Sequence, residues 1–185
     1  MNKFKLVDYN FMALCCVIGI ISKKLINPFA NVITDLLHIP GGVSTGFSIM
    51  FLVIAVEMIR KPKCGTLMAM VQGLLSLALG RVGSMGIFMP ISFIATGIAI
   101  DFVYYVGKYI NLTRLERMMF SNSLAAFSAS FVANFIVFQL TGPVLCLYLS
   151  VSALSGMCYG FLSSMLVERI NPALSSYRRR SYEIT

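Results

Sequence analysis

Residues 118–167 read MMFSNSLAAFSASFVANFIVFQLTGPVLCLYLSVSALSGMCYGFLSSMLV, 50 consecutive positions without a charged side chain. As one straight α-helix this stretch would be ~75 Å long, against a hydrocarbon thickness of ~30 Å for a bilayer. It must therefore turn back once. Near its centre, Gln139-Leu140-Thr141-Gly142-Pro143 supplies the polar groups, glycine and proline that a reversal needs. Two spans follow, expected at about 117–139 and 143–168.

The rest of the chain divides in the same way. Apolar runs at about 6–26, 42–59, 64–80 and 86–106 are each long enough for a membrane helix, and Arg60-Lys61-Pro62-Lys63 separates the second from the third. Composition agrees. The chain is 58% hydrophobic and 12% charged, with a mean hydropathy of +0.84, whereas a soluble domain is about one-quarter charged. The expectation is an all-α integral membrane protein, one six-span domain over residues 1–185. Pro28, Pro40, Pro62, Pro143 and Pro172 are expected at or beyond helix ends and Pro90 in a first turn. Lys3 and Lys5 precede the first run as in a signal peptide. No small-x-small cleavage pattern precedes Lys23-Lys24, so the run reads as a retained span.

The net charge is +8, but the bases sit at the ends of apolar runs and form no nucleic-acid patch. Twelve Lys and Arg fall on one side of the predicted topology (Lys3, Lys5, Arg60, Lys61, Lys63, Lys108, Arg114, Arg117, Arg169 and Arg178 to Arg180) and three on the other (Lys23, Lys24 and Arg81). Both termini are therefore expected in the cytoplasm. The five cysteines form no CxxC pair and read as small residues facing the core or lipid.

The chemistry is expected on the outer side. The first outer connection, about 24–41, is too long for a tight turn and too apolar for a solvated linker. Asn27 would cap a short helix starting at Pro28, forming a lid hinged at Gly41-Gly42. It carries Asn31, Asp35 and His38, the sole histidine. One His and one Asp favour substrate contact or structure over a metal site. The next outer connection brings Arg81 and Ser84 among three glycines, and the 139–143 reversal adds Gln139 with Asn134 below it and Tyr148 beyond. These eight are the candidate substrate-binding residues, since polar groups inside spans are functional candidates. On the inner half, Glu57 and Asp101 read as snorkelling or paired with nearby bases. Ala13, Cys16 and Gly19, spaced by three, read as a small-residue stripe for close helix contact, internal or with a partner subunit. There is no GxxxxGK[ST] phosphate loop and no HExxH, so neither ATP hydrolysis by that loop nor zincin-type hydrolysis is expected, and the chain reads as a non-enzyme without a cofactor.

Six spans in 185 residues, both ends inside, a lid-like outer loop and no ATPase motif resemble the substrate-binding S-components of energy-coupling factor (ECF) vitamin transporters. Met58-Ile59-Arg60-Lys61-Pro62, followed by Leu67, Leu74-Leu75 and Leu79-Gly80, is similar to the YkoE-like branch, associated with thiamine or its hydroxymethylpyrimidine precursor. Where that branch tends to carry an acidic residue in span three, this chain has Ser76. The resemblance implies a multi-pass protein of a prokaryotic plasma membrane that binds a vitamin-like solute. Its partners would be a transmembrane coupling protein, met through Ala13, Cys16 and Gly19, and two ABC ATPases. Riboflavin, pyrimidine precursors, cobalamin and haem all remain open as solutes. The alternative is a membrane scaffold or accessory subunit without a ligand.

Overall fold

The computed structural model describes residues 6–37, 43–80, 86 and 88–183. Every regular element among them is helical: α1 (Leu6–Leu37), α2 (Val43–Ile59), α3 (Cys64–Ala78), α4 (Met89–Tyr109), α5 (Arg114–Phe131) continued by a π-helical segment (Val132–Val137), and α6 (Pro143–Glu183). Among the described residues four stretches are long and apolar enough to cross a bilayer: Asp8–Phe29, Met89–Tyr109, Arg114–Val137 and Pro143–Asn171. Thr45–Ile59 and Cys64–Ala78 are shorter apolar helices. The protein is membrane-embedded. Large apolar side chains such as Leu14, Leu74, Phe102 and Leu154 lie exposed on its outer surface, where lipid rather than water receives them.

α2 is the hub. Apolar all round, it packs against α1, α3, α4, α5 and α6, and Leu52, Val53, Ala55 and Val56 are buried in the core. A helix without a polar face belongs inside a bundle. Around it, α3 lies on α4 and α5 on α6. Both pairs approach closely because glycine lies between them. A Cβ on Gly97 would stand 2.6 Å from Ala69 Cβ and 2.7 Å from Thr66 Cα. A Cβ on Gly160 would stand 2.6 Å from Met119 Cα, and one on Gly156 2.8 Å from the Asn122 carbonyl oxygen. Gly156 and Gly160 form a GxxxG pair, the spacing that puts two small residues on one helix face.

The reversal at 139–143 is where the uncharged stretch demands it. Gln139 (φ 53°) and Gly142 (φ 75°) take left-handed backbone there, and Pro143 opens α6. α5 begins three residues earlier than expected. Thr113 and Glu116 make a reciprocal cap, Glu116 N–H donating to Thr113 Oγ1 at 3.4 Å and Thr113 N–H to Glu116 Oε2 at 2.9 Å.

Two prolines correct the expected boundaries. Pro28 lies inside α1 and Pro172 inside α6. Proline at 28 removes one donor, but ending the helix there would expose several backbone groups at membrane depth. Continuing costs less. The separate lid helix beginning at Pro28 is therefore not formed: α1 runs unbroken to Leu37, and Asn27 lies within it rather than at a cap. The hinge Gly41-Gly42 and Pro40 lie outside the described residues.

The inner-end acids are satisfied in different ways. Glu57, buried, receives Arg117 at 2.9 and 2.7 Å and Arg60 at 3.0 Å, with Arg114 at 3.8 Å. Among the described residues Asp101 pairs with no base. It accepts hydrogen bonds from the backbone N–H of Gly65 (2.9 Å) and Thr66 (2.8 Å) and from Thr66 Oγ1 (2.6 Å), closing the N-terminus of α3 from the neighbouring α4. Cys15, Cys16 and Cys64 are buried, and Cys146 and Cys158 lie on the outer face.

The Ala13–Cys16–Gly19 stripe does not form one face. Cys16 is buried, its Sγ 3.7 Å from the Met68 carbonyl oxygen. Gly19 abuts α2 and α3, where an added Cβ would meet Gln72 Nε2 at 2.9 Å. Ala13 is exposed. Six residues turn an α-helix by about 600°, which leaves Ala13 and Gly19 about 120° apart. Cys16 and Gly19 thus serve internal packing.

Candidate functional site

A cavity of about 650 Å³ opens at one end of the bundle. Its wall comes from the C-terminal half of α1 (Lys23) and the N-terminal halves of α2 (Thr45, Ser48, Ile49) and α4 (Met89, Ser92, Phe93, Thr96). The end of α5 (Ala129, Ser130), the π-helical segment (Ala133, Asn134), the reversal (Phe138, Leu140) and the start of α6 (Tyr148) complete it. This is the end that the Lys and Arg distribution assigns to the outside. The volume lies within the ~300–1,000 Å³ of small-molecule sites, and the mixture of apolar wall with a few convergent polar groups is typical of them.

The helical register explains the wall. Thr45 and Ser48 are three apart on α2, and Ser92 and Thr96 four apart on α4, so each pair shares a face. Thr96 Oγ1 donates to the Ser92 carbonyl (2.8 Å), Ser92 Oγ to the Ala129 carbonyl (3.3 Å) and Ser48 Oγ to the Thr45 carbonyl (3.0 Å). With their protons committed to the backbone, these hydroxyls offer acceptor lone pairs to a ligand. Asn134 Nδ2 donates to the Ser130 carbonyl at 2.9 Å and keeps a second N–H. The π-helical segment sets Asn134 here: Phe138 N–H bonds the Ala133 carbonyl (3.0 Å) and Leu140 N–H the Asn134 carbonyl (2.8 Å), widening the helix at the cavity edge.

Among the described residues Lys23 supplies the one cation on this wall. Its Nζ lies 5.8 Å from the centroid of the Phe93 ring, and among the described residues no carboxylate pairs with it.

Of the expected substrate-binding residues, Asn134 and Tyr148 stand on the cavity wall. Gln139 is exposed at the reversal and does not line it. Asn31 and Asp35 fall in the last turns of α1, where the backbone alone is described, and His38, Arg81 and Ser84 lie outside the described residues. The sequence reading missed Lys23, Ser48, Ser92, Thr96 and Phe93. The signal of the first four was present as polar residues inside apolar runs; Phe93 carried none.

Gly42-Val43-Ser44-Thr45-Gly46 matches the spelling of the GxSxG serine-hydrolase motif. That motif places its serine on a turn between strand and helix. Here Val43 to Gly46 already form the first turn of α2, and no strand occurs among the described residues. The spelling is coincidental.

Two smaller hollows lie elsewhere. One of about 400 Å³, lined by Phe102, Val103, Phe120, Leu124 and Phe127 among others, is an apolar groove on the lipid face. One of about 210 Å³ surrounds the Glu57–Arg60–Arg114 cluster at the opposite end. Among the described residues no group of three or more His, Cys, Asp or Glu is placed to hold a metal ion.

No curated protein matches the sequence. The fold is shared with a solved structure described as "Crystal structure of an S-component of ECF transporter", at a TM-score of 0.69 and 19% identity, covering 99% of this chain and 99% of that one. That likeness agrees with the family resemblance read from the sequence and, at this identity, speaks for the fold. Residues 7–128, more than half of the chain, match the family described as the permease component of an ABC-type cobalt transport system, and the chain belongs to that family.

Proposed function

We propose that this chain is the solute-capturing membrane subunit of an ECF-type ABC importer, with the cavity beside Lys23 as its binding site. The observation that carries the proposal is the cavity itself. About 650 Å³ of space, walled by aromatic rings, hydroxyls and an amide inside a lipid-embedded bundle, is what a vitamin-sized solute requires. A scaffold subunit would have no use for it. In this proposal the chain crosses the plasma membrane of a prokaryote six times, α2 and α3 being the two short spans, with both termini in the cytoplasm. The cavity then opens outward. A transmembrane coupling protein and two ABC ATPases supply the energy, as the ECF likeness implies.

The family description names cobalt, and thiamine is associated with the branch the sequence resembles. Both are cations. The wall here presents an ammonium, hydroxyls, an amide and aromatic rings, which suit a ring-bearing organic solute better than a metal ion. Phe93, Phe138 and Tyr148 offer rings for a flat heterocycle to pack on. Hydroxymethylpyrimidine, being neutral, suits this wall better than thiamine does.

Filling the cavity is the test. Thr45 lies on the wall near the start of α2 and is only partly buried, so Thr45→Phe can place a ring in the cavity without disturbing the core. The purified full chain is titrated with water-soluble vitamins and their precursors. The expected result is binding of at least one of them by the parent chain and a loss of about 100-fold or more in Thr45→Phe, since the ring takes the ligand's place. Equal binding by Thr45→Phe moves the site elsewhere.

A further inference from the structure

α1 carries adjacent lysines with opposite fates. Lys24 is exposed on the outside of the bundle, where its long side chain can snorkel towards the headgroups. Lys23 lies inside the apolar stretch Asp8–Phe29 and turns into the cavity. It does so by register. Met12, Cys16, Gly19 and Lys23 follow the four- and three-residue steps of one helix face, and the first three are packed against the bundle core. Lys23 is the next position on that seam. Asn27 follows one turn later, with its Oδ1 buried and without a hydrogen-bond partner. The inward face of α1 therefore changes from apolar to polar where the cavity begins.

An ammonium at this depth is costly unless it is paired. The Phe93 ring at 5.8 Å gives a cation–π contact, which is smaller than the cost of dehydrating an ammonium. The hydroxyls of Ser48, Ser92 and Thr96 spend their protons on backbone carbonyls. They offer weak acceptors and no counter-charge. We propose that Lys23 is the charge anchor of the cavity and that the solute supplies the missing anion, a carboxylate or phosphate borne on a ring-containing small molecule. The proposal rests on the reading of this cavity as the solute site and narrows it to a class. Phe93 would hold the Lys23 ammonium in place and pack on the adjoining apolar part of the solute. The hydroxyl oxygens and the free N–H of Asn134 would read polar groups further along the ring.

The test uses the full chain in lipid nanodiscs and a panel of defined charge: biotin, pantothenate, nicotinate and folate as anions, riboflavin, pyridoxine and hydroxymethylpyrimidine as neutral probes, and thiamine as the cation. The parent chain is compared with Lys23→Met, which keeps the length of the side chain and removes the charge, and with Thr45→Phe. The expected tightest member is an anion. Its affinity falls by about 30-fold or more in Lys23→Met, as for truncation of one partner of a desolvated charge pair, while neutral members that bind change little. Without ligand, Lys23→Met unfolds at a higher temperature than the parent, because an unpaired, half-buried charge has been removed. Thiamine or a neutral compound as the tightest member overturns the anion assignment and leaves the cavity assignment standing. Undiminished anion binding in Lys23→Met, or a ligand-free Lys23→Met less stable than the parent, makes Lys23 structural and overturns it too. If no member binds, or if Thr45→Phe binds as the parent does, the cavity reading itself fails and the inference falls with it.

Discussion

Gly160→Leu yields a chain in which α5 and α6 no longer pack, and it is recovered from detergent aggregated or proteolysed. The backbones of these helices approach so closely that even a Cβ at Gly160 would sit 2.6 Å from Met119 Cα and 2.8 Å from the Met118 carbonyl oxygen. Those are backbone atoms of a neighbouring helix, so no rotamer change relieves the clash, and the helices must separate. Separation breaks more than van der Waals contact. Asn122 Nδ2 reaches the Gly156 carbonyl at 2.8 Å, Ser123 Oγ the Ala153 carbonyl at 3.0 Å, and Ser152 Oγ the Ala126 carbonyl at 2.8 Å, all across this seam. In lipid there is no hydrophobic drive to hold two helices together, and close packing with interhelical hydrogen bonds is what remains. Gly160→Ala is the graded version. Alanine favours the helix by ~1 kcal/mol over glycine, but overpacking typically costs about 1–3 kcal/mol, and a clash at 2.6 Å with backbone belongs at the upper end of that range, so the variant should be less stable. Leu154→Ala, on the exposed face of the same helix, should unfold like the parent. Thermal unfolding followed by circular dichroism in one detergent ranks Gly160→Ala and Leu154→Ala against the parent, and a Gly160→Ala chain as stable as the parent would show that the seam tolerates separation.

That seam also shows which features of the fold a single sequence discloses. The uncharged run 118–167 forces a reversal because its length is incompatible with one crossing, and residues 139–143 carry it. Pro62, Pro90 and Pro143 mark helix ends as expected, since an exposed terminus has a spare position for a residue without N–H. Pro28 does not, because inside an apolar span backbone satisfaction outweighs one lost bond; Pro172 lies just beyond its span, within α6, and nothing in the structure explains why the helix continues through it. The Gly156/Gly160 pair and the Thr113/Glu116 cap were both spelled out in the sequence and went unread. Their meaning depends on which helix lies opposite, and on where the helix starts relative to its apolar run. The small-residue stripe of α1 failed for a different reason: a spacing of three drifts around a helix of 3.6 residues per turn, so a repeat counted along the chain is not a face.

The candidate site was legible as a side of the membrane more than as a set of residues. Asn134 stood out because an amide within an apolar run is unusual, and it lies on the cavity wall beside Tyr148. Lys23 did not stand out. A lysine near the end of an apolar run reads as an interfacial anchor, and only the continuation of α1 through Pro28 to Leu37 places it inside a long helix. Ser48 and Thr96 were hidden because hydroxyls that bond their own helix are common in membrane spans, and Ser92 because its partner, the Ala129 carbonyl, lies on another helix. What distinguishes them is a shared void, a property of the assembled bundle.

Glu57→Ala is the second substitution expected to be severe, and the one whose rescue can be forecast. Glu57 is 3% exposed and receives three guanidinium groups from two neighbouring segments. These are not equivalent. The Arg60 side chain is 53% exposed and that of Arg114 35%, so each can turn to water or lipid phosphate when the carboxylate is lost. Arg117, at 15% exposure, is bound through two nitrogens at 2.9 and 2.7 Å, and among the described residues its guanidinium has the Tyr104 ring, 5.6 Å from Cζ, as its further polar company. Removing Glu57 thus strands one half-buried guanidinium, a loss of at most the ~3–5 kcal/mol of a broken fully buried pair. Arg117→Met is milder, since Glu57 keeps Arg60 and a closer approach by Arg114. The double variant Glu57→Ala/Arg117→Met should recover part of the Glu57→Ala loss, because no buried charge is left alone and the methionine fills the space of the arginine stem. The checking measurement is a double-mutant cycle on chemical unfolding of the four chains in one detergent. A double variant worse than Glu57→Ala alone would mean that the three arginines are held by other contacts. The expected recovery would show that this cluster fixes α5 against α2 by relieving a charge that the bundle itself has buried.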